Sequence, residues 1–329
     1  MAAAGYPAAG PAKFAEQRGH LNGEGAQWDE EAVEAVLVEP YNYVTSVQGK
    51  EIRTMLINAF NLWLKIPGDK LEIVCETTKM LHNASLLIDD IQDNSKLRRG
   101  IPVAHHVYGI ATTINTANYI YFQCMEKVMT MGEPQAAVAF TEQLLQLHQG
   151  QGMDIYWRDA NICPSEQQYR EMVKRKTGGL FGLAVRLMQL SSENQADFGY
   201  LLELLGLHFQ IRDDYANLKS DEYAENKSFA EDLTEGKYSF PIIHSITAAG
   251  PTNRQLSNIL RQRTESFELK KFAVDLIDKT GSFEYTRGVL ETLEADICKE
   301  IARLGGNPML TAIVEKLAKL YKPSGAASA

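Results

Sequence analysis

From Trp28 onward, apolar residues return at three- and four-residue steps along almost the whole chain, the spacing that gathers them on one face of a helix. Leu37, Pro40, Tyr41 and Val44 close a first short segment. Its acidic opening at Asp29, Glu30 and Glu31 suits the positive end of a helix dipole. Pro67-Gly68-Asp69 then interrupts the pattern, and Leu71, Val74, Thr78, Leu81 and Ser85 mark a helical face running toward Asp89. Leu144, Leu145, Leu147 and His148 predict another helix that closes before Gly150. Further helices are expected over 169–190, 198–218, 256–264 and 283–304. Alternating β-branched runs bounded by turn residues are scarce, which argues against a sheet. The pattern therefore predicts an all-α chain of about ten to thirteen helices joined by short loops rich in Gly, Pro and Asn.

Composition changes this picture little. The chain has 329 residues, 45% hydrophobic and 23% charged, values of an ordinary folded protein that exclude wholesale disorder. Length alone suggests about two domains, but no composition shift divides the helical pattern, and one domain is the better reading. Lys plus Arg total 33 against 42 Asp plus Glu, a formal charge of −9. Sequence-independent nucleic-acid binding needs clustered positive charge, so no nucleic-acid partner is expected. On bulk charge alone, a polyanionic substrate is disfavoured too. Cys75, Cys124, Cys163 and Cys298 are isolated, with no CxxC pair, which fits an intracellular protein. No apolar run reaches the roughly 18 residues of a membrane span, so no integral membrane segment is expected; the longest, 178–190, is cut by Arg186. Residues 1–27 are rich in Ala, Gly and Pro and lack the apolar core of a signal peptide. They are expected to form a disordered tail, with a transit peptide as the lesser alternative.

The chemistry concentrates first in Leu86-Leu87-Ile88-Asp89-Asp90-Ile91-Gln92-Asp93-Asn94. On a helix, Asp89 and Asp93 are i,i+4 neighbours and Asp90 stands three residues before Asp93, so at least two carboxylates share a face. Like charges so placed repel unless a cation lies between them. Hard oxygen ligands on one helical face suit Mg²⁺, which completes its shell with water and phosphate; an acidic helix end facing solvent is the alternative. Lys96, Arg98 and Arg99 follow within a few residues. Acids followed at once by guanidinium groups make sense around a diphosphate, held by metal on one side and by forked donors on the other.

The stretch Phe209-Gln210-Ile211-Arg212-Asp213-Asp214-Tyr215-Ala216-Asn217 repeats the theme, with Asp213 one turn after Gln210. Lys219, Lys227 and Lys237 follow it. Two acidic helix ends, each trailed by cations, predict a two-walled cavity around phosphate and metal. Upstream, Lys50 and Arg53 stand three apart as a second candidate anion site, and Lys176-Thr177-Gly178-Gly179 places a cation and a hydroxyl before an apolar helix. For each of these cations taken singly, a solvated surface charge is the competing reading.

Together these motifs resemble those of the trans-prenyltransferases, the head-to-tail isoprenyl diphosphate synthases, and most of all the eukaryotic geranylgeranyl diphosphate synthases. The matching pieces are Gly49-Lys50-x-x-Arg53, His82, Asp89-Asp90-x-x-Asp93 with Arg98-Arg99-Gly100, Gly150-Gln151-x-x-Asp154, Lys176-Thr177, Phe209-Gln210-x-x-Asp213-Asp214, and Glu231 to Lys237. The resemblance implies an isoprenoid-synthase-type helical bundle around a central cavity, a single catalytic domain over 28–329. It implies three Mg²⁺ ions per site, with Asp89, Asp90, Asp93, Asp213 and Asp214 as the acids that hold them. Arg98, Lys176, Lys227 and Lys237 would grip the allylic diphosphate, whereas Lys50, Arg53, His82 and Arg99 would bind isopentenyl diphosphate. Lys176, Thr177 and Gln210 would stand beside the developing allylic cation as the catalytic groups. One departure is Asn217, where the family commonly has a third Asp.

Small residues at Ala84 and Ser85, just before the first acids, are expected to leave room for a C20 product, geranylgeranyl diphosphate. The competing readings are a farnesyl or longer-chain synthase, a class I terpene cyclase and a non-catalytic regulatory subunit. The expected partners are isopentenyl diphosphate and allylic diphosphates (dimethylallyl, geranyl or farnesyl), together with a second copy of the chain. The apolar stretch 119–131 offers a face for a homo-oligomer, either a dimer or a hexamer built from dimers. A cytoplasmic location is expected.

Overall fold

A computed structural model describes residues 30–47, 49, 51–219 and 229–322. The expected tail over 1–27, and Lys50 and Lys227 of the expected site, lie outside the described residues. Four helices open the fold: α1 (Glu30–Leu37), α2 (Glu39–Thr45), α3 (Ile52–Leu64) and α4 (Gly68–Gln92). A two-residue antiparallel hairpin follows, β1 (Leu97–Arg98) with β2 (Ile101–Pro102). Its turn holds Arg99 and Gly100 at φ of 54° and 79°, the paired positive values that a two-residue hairpin turn favours. The chain continues through α5 (Ala104–Tyr108), α6 (Ile110–Met129), α7 (Ala136–Ala160), α8 (Glu166–Lys176), α9 (Gly178–Leu190) and α10 (Gly199–Lys219). It ends with α11 (Glu231–Glu235), α12 (Phe240–Ala249), α13 (Gln255–Arg261), α14 (Phe267–Lys279), α15 (Ser282–Arg303) and α16 (Pro308–Ala318).

The all-α expectation holds, but sixteen helices are described where ten to thirteen were expected. Part of the surplus is five-residue helices, α5 and α11, whose length carries too little periodicity to read. The expected helix over 169–190 is two helices, α8 and α9, broken at Thr177. In the opposite sense, the helix expected to close before Gly150 runs on as α7 to Ala160. Gly150 is there for space. A Cβ on it would lie 2.5 Å from the backbone nitrogen of Lys176, so its absence lets α7 and α8 cross in contact. Gly206 does the same for α10, because a Cβ there would meet Gly178 Cα at 3.1 Å.

α4 packs chiefly against α6, and α7 against α8 and α9. One large apolar cluster runs from Leu56 to Tyr321 and includes Val74 and Leu81 of α4, Leu183 and Leu187 of α9, and Ile211 of α10. Fully burying one such side chain contributes about 1.5–3 kcal/mol, and Leu187→Ala would remove about 2–5 kcal/mol. No helix among the described residues is long and apolar enough to cross a membrane.

Candidate active site

The acids at the end of α4 defy the helix dipole, which disfavours negative charge at a C-terminus. Asp89 and Asp93 line a cavity of about 570 Å³, together with Gln92 from the same turn. Asp213 and Asp214 of α10 face it from the other side, with Asp232 and Glu235 of α11. The two expected walls are present and share one cavity.

Cations stand between them. Arg98, carried by the hairpin, pairs with Asp90, lies 3.6 Å from Asp89, and lines the cavity itself. Asp90 is buried and is not among the cavity-lining residues. Lys176 Nζ lies 2.7 Å from Asp154 Oδ2 and 3.9 Å from Asp89 Oδ1. Lys237 Nζ lies 3.2 Å from Asp214 Oδ1 and 3.8 Å from Asp232 Oδ1. Burial works against these charges, but the surrounding acids outweigh it and hold both lysines above their ordinary range. Asp93 is instead pushed toward its uncharged form. Burial, with Asp89, Glu235 and Asp154 nearby, pushes its carboxyl well above the usual carboxylate range. That is the condition a divalent cation relieves.

Thr177, at the break between α8 and α9, donates from Oγ1 to Gln210 Oε1 at 2.7 Å. Gln210 Nε2 in turn donates to Asp214 Oδ1 at 2.9 Å. Asp214 Oδ2 accepts from Tyr169 Oη at 2.6 Å and from the Phe240 backbone N–H at 2.9 Å. Its carboxylate is therefore engaged on both oxygens. Asn217 Oδ1 is likewise occupied, accepting the Asp232 backbone N–H at 3.1 Å.

A second pocket of about 140 Å³ adjoins the first and shares Arg53, His82, Arg99 and Asp213 with it. Arg53 Nη1 lies 3.0 Å from His82 Nε2, and its guanidinium sits over the rings of Phe181 and Phe209. Arg99 Nη1 donates to Val47 O at 2.7 Å. Burial first, then the Arg53, Arg99 and Arg98 cations, hold His82 well below its ordinary range. Burial also lowers Arg53 to about 10. Cations packed together in this way create a site for an anion.

Leu81, Leu86, Leu144, Leu147 and Leu180 give the cavity apolar lining beside the acids. Ser85 lines it, one turn before Asp89, while Ala84 is fully buried and does not. Tyr121 of α6 and Leu144, Leu147 and His148 of α7 line it as well, and were not singled out as site residues from the sequence. Gln151 and Asp154 stood inside a recognised motif without an assigned role. Gln151 Nε2 reaches Gln92 Oε1 at 2.7 Å and Asp89 Oδ1 at 3.3 Å. Arg158 gave no signal beyond its place one turn after Asp154, yet its Nη1 donates to Asp93 Oδ1 at 2.6 Å.

The donor set fits Mg²⁺ in a particular way. Among the described residues, no three acidic, imidazole or thiol side chains converge tightly enough to hold a metal by themselves. Mg²⁺ typically takes one or two protein carboxylates and fills its shell with water and substrate phosphate, which two facing acidic walls permit.

Two acidic walls and two buried lysines thus share one cavity inside a helical bundle. The polyprenyl synthetase family model matches residues 34–277, and the chain belongs to that family, whose members are generally Mg²⁺-dependent. Among its relatives is a terpene synthase of Matsumurasca onukii, 60% identical over 281 residues, covering 85% of this chain and 92% of that protein. A geranylgeranyl pyrophosphate synthase of Mucor circinelloides f. lusitanicus is 53% identical over 289 residues, covering 88% and 95%. Another from Gibberella zeae is 57% identical over 263 residues, covering 80% and 71%.

Proposed function

We propose that this chain catalyses Mg²⁺-dependent head-to-tail prenyl transfer, condensing isopentenyl diphosphate with dimethylallyl, geranyl or farnesyl diphosphate to give geranylgeranyl diphosphate. The observation that carries the reading is a carboxylate-walled cavity that continues into an adjoining pocket where Arg53 and Arg99 gather beside His82, so that two diphosphates can be held at once. In the reaction the allylic C–O bond breaks and its electron pair leaves with pyrophosphate. The terminal double bond of isopentenyl diphosphate attacks the allylic carbon, and a proton passes to the departing pyrophosphate.

Arg98, Lys176 and Lys237 hold the leaving group, with Lys227 joining them. Thr177 and Gln210 present oxygen dipoles to the developing allylic charge. Arg53, His82, Arg99 and Lys50 hold isopentenyl diphosphate. Asp89 and Asp93 on one wall and Asp213 on the other would hold three Mg²⁺ ions, whose charge would neutralise the pyrophosphate. Asp90 and Asp214 act chiefly through Arg98 and Lys237, the cations they pair with.

On this reading residues 28–329 form one catalytic domain, supported by one large core cluster that spans Leu56 to Tyr321 among the described residues. The enzyme works in the cytoplasm as a homo-oligomer. Support for the latter comes from Ile110, Phe122 and Met129 of α6 and Leu145 of α7, large apolar side chains left exposed, Phe122 by 76%.

The relative named a terpene synthase favours a second reading, ionisation and cyclisation of one allylic diphosphate. Such an enzyme has no use for the Arg53 pocket. Purified protein incubated with Mg²⁺, radiolabelled isopentenyl diphosphate and each allylic diphosphate separates the two. A labelled C20 diphosphate is expected. A cyclic hydrocarbon formed without isopentenyl diphosphate would install the second reading, and failure to turn over at all would point to a regulatory subunit.

A further inference from the structure

We infer that Arg158 is the positioning residue of the first carboxylate wall, holding Asp93 by one oxygen so that the other stays available to the cavity. This rests on the reading of Asp93 as a Mg²⁺ ligand. The Arg158 side chain is 8% exposed, and it sits on α7 rather than on either acidic helix. Its guanidinium is fixed at two points. Nη1 donates to Asp93 Oδ1 at 2.6 Å, and Nε donates to Asp159 Oδ1 at 3.0 Å. The same Asp159 Oδ1 also accepts from Arg263 Nη2 at 2.7 Å. A planar fork gripped on two edges sets the orientation of the carboxylate it meets, which a flexible ammonium does not.

The placement along α7 is regular. Gln151, Asp154 and Arg158 lie at i, i+3 and i+7, hence on one helical face. Each meets a different residue of the site: Gln151 meets Asp89 and Gln92, Asp154 meets Lys176, and Arg158 meets Asp93. One rigid helix thus aligns both cavity-lining acids of α4 and the lysine that faces them. Gly150 lets α7 approach α8 closely enough for this. A cation in the last turn of α7 also suits the helix dipole. That purely structural contribution is the same with and without metal, which gives the test its discrimination.

The experiment is thermal melting of the full-length protein with inorganic pyrophosphate at graded Mg²⁺, alongside the apparent Mg²⁺ requirement in turnover. Wild type is compared with Arg158→Gln, Arg158→Lys, Asp93→Asn and the Arg158→Gln/Asp93→Asn double variant. Loss of a partner that orients a metal ligand costs about tenfold or more in metal affinity. The half-saturating Mg²⁺ is therefore expected to rise about tenfold in Arg158→Gln and to stay raised in Arg158→Lys, which keeps the charge but not the fork. The double variant should need no more Mg²⁺ than Asp93→Asn alone. Unchanged half-saturation in the Arg158 variants, or additive effects in the double, would overturn the proposal while leaving the functional reading intact. A wild type whose melting ignores Mg²⁺ and pyrophosphate would overturn the functional reading and this proposal with it. Should Arg158→Gln not fold, Arg158→Lys decides alone.

Discussion

Lys176 Nζ stands 2.7 Å from Asp154 Oδ2, joining α7 to the last residue of α8 at the cavity wall. Although burial opposes ionisation of Asp154, Lys176 and Lys237 hold its carboxyl below the usual range, so the pair is charged on both sides. Asp154→Asn keeps the shape and removes the charge that aims Lys176. The kcat/KM for the allylic diphosphate should fall about a hundredfold, the scale of a 1 Å misplacement. The KM for isopentenyl diphosphate should hardly move. Steady-state kinetics with each substrate varied in turn checks both statements.

Metal removal separates the two kinds of positive charge in the site. Arg98, Lys176 and Lys237 survive chelation, but each is already paired with Asp90, Asp154 or Asp214. Binding of farnesyl diphosphate, followed by calorimetry, should collapse in EDTA and return with Mg²⁺. Binding that persists in EDTA would mean that the cations suffice.

Product length should respond to the turn before Asp89. Ser85→Phe puts a ring into the cavity, and the product from dimethylallyl or geranyl diphosphate should shorten. Ala84→Phe should shorten it too, but from a fully buried position, so an overpacking cost of about 1–3 kcal/mol accompanies the change. Product chromatography and thermal melting, run together, read the two effects. An unchanged product distribution in both variants would remove these residues from chain-length control.

Acid should weaken the fold through His208, which is fully buried with Nε2 2.8 Å from Tyr321 Oη. Burial first, then Arg212 and Lys322, depress its pKa from 6.5 to about 4. Above the unfolded value neither state is protonated and nothing is lost. As pH falls from there, the unfolded chain takes a proton that the folded chain refuses. Stability then declines by about 1.4 kcal/mol per pH unit, and the loss is complete near the folded value. His208→Gln should remove this slope, so its deficit relative to wild type shrinks by about 2 kcal/mol between pH 7 and pH 5 in urea unfolding. A constant deficit would show that His208 does not contribute to the pH dependence.

Much of the site was legible in the linear chain because its chemistry is packed into short motifs. Asp89 and Asp93 on one side, and Gln210 and Asp213 on the other, could be placed on helical faces by counting. Lys176 and Thr177 were also legible, although the break between them and α9 was not. The apolar period runs across it, and only contact at Gly178 and Gly206 marks where α9 begins. Gly150 misled in the opposite direction. A glycine after a helical run reads as a stop, whereas here it is the gap through which Lys176 passes. Asp90 and Asp93 look alike in sequence, three residues apart on the same helix. The fold gives Asp90 to Arg98 away from the cavity and Asp93 to the cavity itself.

Sequence alone determined the helical class, the two acidic walls and the cations that trail them, because helical period and i,i+4 neighbourhood are local properties of the chain. Tertiary structure decided which carboxylate faces the cavity, which lysine is aimed by which acid, and that α7 carries the supporting stripe. These choices depend on partners remote in sequence, such as Arg158 and Asp93, 65 residues apart. No local pattern encodes such a meeting; the packing of one helix against another creates it.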